Sequence, residues 1–228
     1  PFEYSPFRLG LAFHLPTYYN LTDYSSAYMA GPDEPDGGYR EMGTNWPEAY
    51  GDDYIVDYKV RSPWRMNVSA GYTFDDFLAV NAEYELVDYS SAMMEYEDGY
   101  SMPDMDDEFD SNMQCSHILR LGAEVKLDKN FSMRCGYNFI SSAFKDNAWK
   151  YISPYSANTA TDYTNTKNTN IFTLGLGYRG KSFYFDAAYQ CMLQDADFYT
   201  YVDPEVSLPA TKVSDFRNKI VCTFGVRF

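Results

Sequence analysis

The chain has 228 residues, enough for one domain, and an aromatic fraction of 18% that includes 23 Tyr and 16 Phe. Its formal net charge of −15 argues against binding to nucleic acid, because phosphates require Lys and Arg neighbours. The mean hydropathy is −0.46, and no run approaches the ~18 continuous apolar residues of a membrane helix. The strands of a membrane β-barrel escape this criterion, because only alternate residues in them are apolar.

The N-terminal half contains three segments in which apolar and polar residues alternate. The first is residues 7–15, and a period of two places one set of side chains on one face of a sheet. The second, residues 54–74, keeps one parity throughout. We interpret it as a single long strand kinked near Pro63, because proline removes a donor from the ladder. The third is residues 78–86.

The C-terminal half repeats the same alternation. It predicts strands at residues 119–127, 131–139, 172–178, 183–194 and 218–228. The whole chain therefore holds about eight strands, an even number that is typical of bacterial outer-membrane barrels.

Short connections alternate with long ones along the chain. The predicted tight turns lie at residues 75–76, 128–130 and 179–181. The predicted long loops, rich in Gly, Pro, Asp, Ser and Tyr, span residues 16–53, 89–113, 141–167 and 195–213. This pattern predicts an all-β fold, an antiparallel transmembrane β-barrel of the bacterial outer membrane with its long loops outside the cell.

A soluble β-sandwich also alternates, so the choice of a membrane barrel rests on three further features. Nearly every strand shows the same alternation of apolar and polar residues, aromatic residues cluster beside the short turns, and the chain ends on alternating apolar residues. The aromatic residues beside the turns are Tyr72, Phe74, Phe131, Tyr178 and Phe183.

The two parities predict two environments. The polar parity faces an enclosed lumen, either as a structural ion-pair network or as the lining of a conduit whose basic residues meet a carboxylate headgroup. The lumen-facing candidates are Arg8, His14, Asp57, Lys59, Arg61, Asn81, Glu83, Glu85, Arg120, Glu124, Lys126, Arg134, Asp186, Gln190 and Arg227. The lipid-facing representatives are Leu9, Leu11, Phe13, Leu121, Tyr137, Leu174, Phe185, Phe224 and Phe228.

An acidic run lies in one of the predicted long loops, at residues 104–110. We interpret it as a solvated loop, with a Ca²⁺ site as the alternative, although EF-hand spacing is absent. The four cysteines are widely spaced and form no CxxC pair, so they indicate small apolar side chains and not a zinc site. We therefore expect no metal and no cofactor.

Catalysis has little support in the sequence. The two histidines, His14 and His117, lie on different strands with opposite parity. The sequence contains no GxSxG, no HExxH and no phosphate-binding glycine loop. We therefore do not expect an enzyme.

Several stretches resemble the later strands of FadL-type outer-membrane transporters, the family of long-chain fatty acid and toluene/xylene channels. They are Arg61-Ser-Pro-Trp-Arg-Met-Asn-Val, Ala70-Gly-Tyr-Thr-Phe and Ala82-Glu-Tyr-Glu-Leu-Val-Asp-Tyr-Ser. The strand at residues 7–15, which runs into Pro16-Thr-Tyr-Tyr, is similar to a strand and the start of an extracellular loop in these proteins.

The resemblance implies a barrel of about fourteen strands whose lumen is plugged by an N-terminal hatch. Only about eight strands and no hatch are visible here. We therefore expect residues 1–228 to be a single barrel domain, or a barrel fragment that lacks the hatch and the early strands. Eight strands closed on themselves would leave no conduit, because side chains would fill the interior.

The expected function is passive uptake of hydrophobic small molecules, such as long-chain fatty acids, through the bacterial outer membrane. The expected partners are membrane lipid, a hydrophobic ligand and the missing N-terminal segment. The alternative is a small structural or surface-binding barrel whose extracellular loops contact a partner.

Overall fold

The secondary structure is almost entirely β. A computed structural model describes residues 6–25, 28–33, 38–43, 54–75, 77–146, 148–150, 162–201 and 209–226. Its strands are β1 (Phe7–His14), β2 (Tyr18–Ser25), β3 (Tyr28–Asp33), β4 (Gly38–Gly43), β5 (Tyr54–Arg61), β6 (Arg65–Phe74), β7 (Leu78–Asp88), β8 (Met93–Tyr96), β9 (Cys115–Lys126), β10 (Phe131–Ile140), β11 (Tyr163–Arg179), β12 (Phe183–Tyr199) and β13 (Thr211–Val226). A 3₁₀ turn spans Tyr89–Ser91 and the helix α1 spans Pro103–Asn112. Among these residues, no helix is long and apolar enough to cross a membrane.

Eight strands form the main sheet, in the order β1-β6-β7-β9-β10-β11-β12-β13, and every neighbouring pair is antiparallel. The order in the sheet follows the order in the chain. The remaining strands form a three-stranded sheet, β2-β5-β8, and the hairpin β3-β4. Within the described residues, β1 and β13 each have a single neighbour in the main sheet. The predicted antiparallel sheet of about eight strands is thus confirmed.

The alternation of short and long connections in the main sheet also matches the prediction, but residues 16–53 and 89–113, which we predicted to be loops, contain the strands β2, β3, β4 and β8. Residues 75–77, 127–130 and 180–182 join consecutive strands at one end of the sheet. The backbone closes two of these turns through the Leu127 N–H to the Phe131 carbonyl and the Gly180 N–H to the Phe183 carbonyl, both at 2.9 Å. The connections at the opposite end, called here the long-connection end, contain all the other strands and α1.

The prediction of one continuous strand over residues 54–74 is wrong. Residues 62–64 separate β5 from β6, and the two strands belong to different sheets. His14 faces Arg65 on one side of the break and Tyr18 faces Arg61 on the other. The register is the same on both sides, so Pro16 and Pro63 stand opposite each other. Since neither residue has an N–H, the ladder cannot continue between them.

Two other predicted loops need correction, both at the long-connection end. Strands β11, β12 and β13 extend into residues 163–167, 195–199 and 211–213, which we predicted to be loop. Their register shifts once, between Thr166 and Thr169, at an irregularity of the ladder. The side chains here are mostly Thr, Asn, Lys and Asp, so the apolar alternation ends while backbone pairing continues.

The acidic run predicted as loop is a helix. α1 begins with Pro103 in its first turn and carries Asp104 and Asp106 there. Proline is tolerated at this position, and carboxylates near a helix N-terminus interact favourably with the helix dipole. Asp106 also accepts the backbone N–H of Met94 at 2.9 Å, which ties α1 to β8.

The main sheet has almost no conventional core. Among the described residues, the buried apolar side chains are Val87, Ile118 and Ala148. By contrast, Leu11 is 76% exposed and Ile220 is 75% exposed. No second sheet covers this apolar face in the described part of the chain, so the arrangement differs from a β-sandwich, in which two apolar faces meet.

Candidate functional site

The polar face of the main sheet gathers most of the predicted lumen-facing residues. Directly paired residues share a face, and the register links Arg8 to Gly71, Gly71 to Asn81 and Asn81 to Gly122. The same series of pairs continues across the sheet to β12. The predicted residues on this face are Arg8, His14, Asn81, Glu83, Glu85, Arg120, Glu124, Lys126, Arg134, Asp186 and Gln190.

Three predicted residues lie elsewhere, on β5 in the three-stranded sheet. Asp57 accepts a hydrogen bond from Thr22, and the Lys59 Nζ donates to the Glu97 carbonyl at 2.6 Å. Arg61 donates from Nη2 to the Ser91 carbonyl at 3.3 Å, and its buried Nε has no partner among the described residues. The prediction for Arg227 lies outside the described residues.

A first ion-pair cluster lies on the polar face where β6, β7 and β9 adjoin. Arg120 contacts both Glu83 and Glu85, the latter at 2.6 Å from Nη1 to Oε2. Arg65 approaches the other oxygen of Glu85 at 3.8 Å. Two guanidinium groups thus balance two carboxylates.

A second cluster lies nearer the short turns. The Arg134 Nε contacts Glu124 at 2.7 Å, and its Nη1 contacts Asp186 at 3.1 Å. Arg179 contacts the second oxygen of Asp186 at 2.7 Å and lies 5.0 Å from the centre of the Tyr184 ring. This cluster is also balanced, so the polar face carries paired charges where a purely basic lining would have left guanidinium groups for a ligand.

Glycines on the polar face make room for these clusters. A Cβ at Gly177 would lie 2.8 Å from the Asp186 Oδ1 and 2.9 Å from the Ser132 Oγ. A Cβ at Gly225 would overlap the Tyr184 ring. We did not predict this role, although the sequence carries its signal, because glycines recur at the polar parity of β9, β10, β11 and β13.

The apolar face carries the predicted lipid-facing residues, with Phe228 outside the described part of the chain. Near the short turns its aromatic rings form a row across neighbouring strands. The ring centres of Phe131 and Tyr178 are 4.9 Å apart, those of Tyr178 and Phe183 are 5.2 Å apart, and those of Phe183 and Phe224 are 6.1 Å apart. The cysteines, all free, share the parity of this face.

Three tyrosines on the apolar face hydrogen-bond to polar residues of the next strand. Tyr84 pairs with the His117 Nδ1 at 2.6 Å. Tyr137 and Tyr189 donate to the Oδ1 atoms of Asn170 and Asn218, at 2.7 and 2.5 Å. Each tyrosine lies six residues beyond the first residue of a strand that leaves a short turn. These pairs therefore recur at one level of the sheet, and we did not predict them.

A cavity of about 300 Å³ lies at the long-connection end, between α1, the residues Phe144, Trp149 and Lys150, and the first residues of β11. Six of its lining side chains are apolar or aromatic, and Glu108 and Lys150 carry charge. The apolar and aromatic lining residues are Met105, Phe109, Met113, Phe144, Trp149 and Tyr163.

Two buried asparagines hold the cavity walls together. Asn112 donates to the Glu108 carboxylate at 2.6 Å and accepts the Trp149 N–H at 2.8 Å. Asn165 donates to the Ala148 carbonyl at 2.6 Å. Each buried amide is satisfied by atoms of another segment, so both fix the relative positions of the segments.

Burial raises the pKa of the Glu108 carboxyl above its ordinary value. The hydrogen bond from Asn112 acts in the opposite direction, and repulsion from Asp107 adds to the rise. No group of three or more His, Cys, Asp or Glu in the described residues is arranged to hold a metal ion.

Taken together, these elements define a class of fold. A meander of antiparallel strands with short turns at one end, an exposed apolar face and a polar opposite face is part of a β-barrel architecture.

Comparison with known proteins supports this class. The sequence matches no family model and no curated protein. Its fold is similar to the crystal structure of a Pseudomonas aeruginosa FadL homologue, with a TM-score of 0.54 and 14% sequence identity. The likeness covers 96% of this chain and 47% of that chain, so the chain spans about half the length of that protein. The predicted fold class, part of a larger FadL-like β-barrel, is confirmed.

Proposed function

We propose that the chain forms part of a bacterial outer-membrane channel for the passive uptake of hydrophobic small molecules, of which long-chain fatty acids are one class. The main support is the contrast between the two faces of the sheet. The apolar face is exposed, while the opposite face carries two clusters of paired charges, around Arg120 and Arg134. Lipid outside and a wetted lumen inside give each face a favourable solvent.

The two edge strands of the main sheet, β1 and β13, indicate what this chain must pair with in a membrane. An unpaired backbone group in hydrocarbon costs several kcal/mol, so a transmembrane sheet must close. We propose that further strands, the early part of the barrel, pair with β1 and β13. The likeness to about half of a FadL homologue supports this arrangement.

Two adjacent alanines of β12 give a matched test of the channel. Ala188 faces Gly175 and Val221 on the polar face, and Ala187 faces Leu176 and Cys222 on the apolar face. We expect Ala188→Trp to narrow the lumen and lower uptake several-fold, and Ala187→Trp to leave uptake unchanged. The measurement is uptake of labelled oleate and labelled toluene by a bacterial strain that lacks its own channels for them.

The strain that expresses the wild-type protein should take up at least one compound faster than the strain with the empty vector. Equal rates, with the protein correctly inserted, would overturn the channel and favour a surface-binding barrel. Equal loss in both variants would show that the polar face of β12 is not the lining.

A further inference from the structure

The cavity beside α1 has the composition of a binding site for an apolar molecule. Its lining is dominated by thioether and aromatic side chains, and its volume of about 300 Å³ lies at the lower end of the range for ligand pockets. Its walls are held by the hydrogen bonds of Asn112 and Asn165, so the cavity is formed before a ligand arrives.

The charges around the cavity discriminate between ligands. The Glu108 carboxyl lies in the wall, where burial raises its pKa and the hydrogen bond from Asn112 opposes that rise. α1 carries four further carboxylates, at Asp104, Asp106, Asp107 and Asp110. A carboxylate ligand would meet like charge here at short range in partly desolvated surroundings, which weakens binding. Lys150 also lines the cavity and opposes this effect.

The polar face of the sheet points to the same preference. A fatty-acid headgroup would require an available guanidinium or ammonium group. Arg120 and Arg134 are each already in contact with two carboxylates. At these two arginines a carboxylate ligand would therefore compete with the protein's own acids.

We infer that the cavity beside α1 binds an uncharged apolar molecule, and that Glu108 selects against carboxylates. This deepens the proposed function, because it narrows the substrate class to neutral hydrophobic compounds. The site lies at the long-connection end, where a ligand from outside the cell would arrive first.

Trp149 provides a local reporter, because it lines the cavity. In a Trp46→Phe, Trp64→Phe background it is the remaining tryptophan of the chain. The probes are 4-iodobenzyl alcohol and 4-iodobenzoate, which are matched in size and differ in charge at pH 7. Iodine quenches tryptophan on contact, so a bound probe gives saturable quenching of the purified protein in detergent.

We expect saturable quenching by the alcohol and roughly tenfold weaker binding of the benzoate. Thr164→Phe, which places a ring in the cavity, should abolish saturation, while Thr166→Phe on the same strand outside the cavity should preserve it. Glu108→Gln should reduce the difference between the probes, while Asp104→Asn, an exposed position of α1 outside the cavity, should leave it unchanged.

Quenching that never saturates, or that saturates equally in Thr164→Phe, would overturn the site. Equal or tighter binding of the benzoate would overturn the selectivity and assign the dominant charge to Lys150. Binding and uptake are separate readouts. Saturable quenching without uptake would support the binding site and contradict the channel. Uptake without saturable quenching would support the channel and contradict the binding site.

Discussion

At the scale of single residues, the polar face depends on where side chains are missing as much as on where charges lie. Asp186 contacts both Arg134 and Arg179, and its carboxylate occupies the space that a side chain at position 177 would need. The neighbouring Gly175 differs, since a Cβ there would lie 3.6 Å from the Arg134 Cβ, an ordinary van der Waals contact.

These two glycines give a matched prediction. Gly177→Ala should lower the free energy of unfolding by about 1–2 kcal/mol, because Asp186 must move and weaken its ion pairs. Gly175→Ala should be neutral or stabilising by up to about 1 kcal/mol, because glycine costs entropy in a strand. Urea unfolding in lipid vesicles measures both. Equal losses of stability in the two variants would mean that the ion pairs of Asp186 do not depend on the missing side chain at Gly177.

The sequence allowed part of this network to be predicted. Glu124 and Arg134 are joined by a short turn, so counting outward from residues 127–130 pairs them. The same procedure pairs Gly177 with Asp186. Glu83 and Arg120 are different, because a long connection separates their strands and its geometry cannot be read from local chemistry.

At the scale of elements, the three tyrosine pairs tie neighbouring strands together on the apolar face. Each joins a strand that leaves a short turn to the strand that follows it in the sheet. A polar atom in hydrocarbon is costly unless it is paired, so a hydroxyl that meets an amide or imidazole lets both remain there.

A double-mutant cycle on one pair tests this role. Tyr137→Phe should cost about 0.5–1.5 kcal/mol of stability, because it leaves the Asn170 amide without its donor. Asn170→Leu should restore much of that loss in the double variant, giving a coupling energy of about the same size. Tyr72→Phe, at the short-turn end of the same face, is the control. Strict additivity of the two changes would show that the hydrogen bond does not stabilise the sheet.

The elements also show why the sequence predicted the sheet well near the short turns and poorly near the long-connection end. Apolar alternation marks a strand only where one of its faces meets an apolar environment. Beyond that level β11 continues through Thr164, Asn165 and Thr166, where both faces are polar. α1 was missed for a related reason, since its two apolar residues, Met105 and Phe109, are too few to mark a helix among the surrounding acidic residues.

At the scale of the whole molecule, the two faces of the sheet require two solvents. Ile220 and Val221 are consecutive residues of β13 and point to opposite faces. In a background without other tryptophans, Ile220→Trp should be quenched strongly by lipids brominated on their acyl chains, and Val221→Trp weakly. Equal quenching of the two, or the reverse order, would contradict the assignment of the apolar face to lipid.

The facing prolines at positions 16 and 63 have a mechanical consequence. Cooperative unfolding spreads along unbroken ladders, and this one is interrupted where two donors are missing. Among the described residues, the break itself is spanned by the Ser62 N–H to the Thr17 carbonyl, at 2.9 Å, and by the Thr17 N–H to the Ser62 Oγ, at 2.8 Å. We therefore expect the three-stranded sheet to open and reclose without loosening the strands of the main sheet.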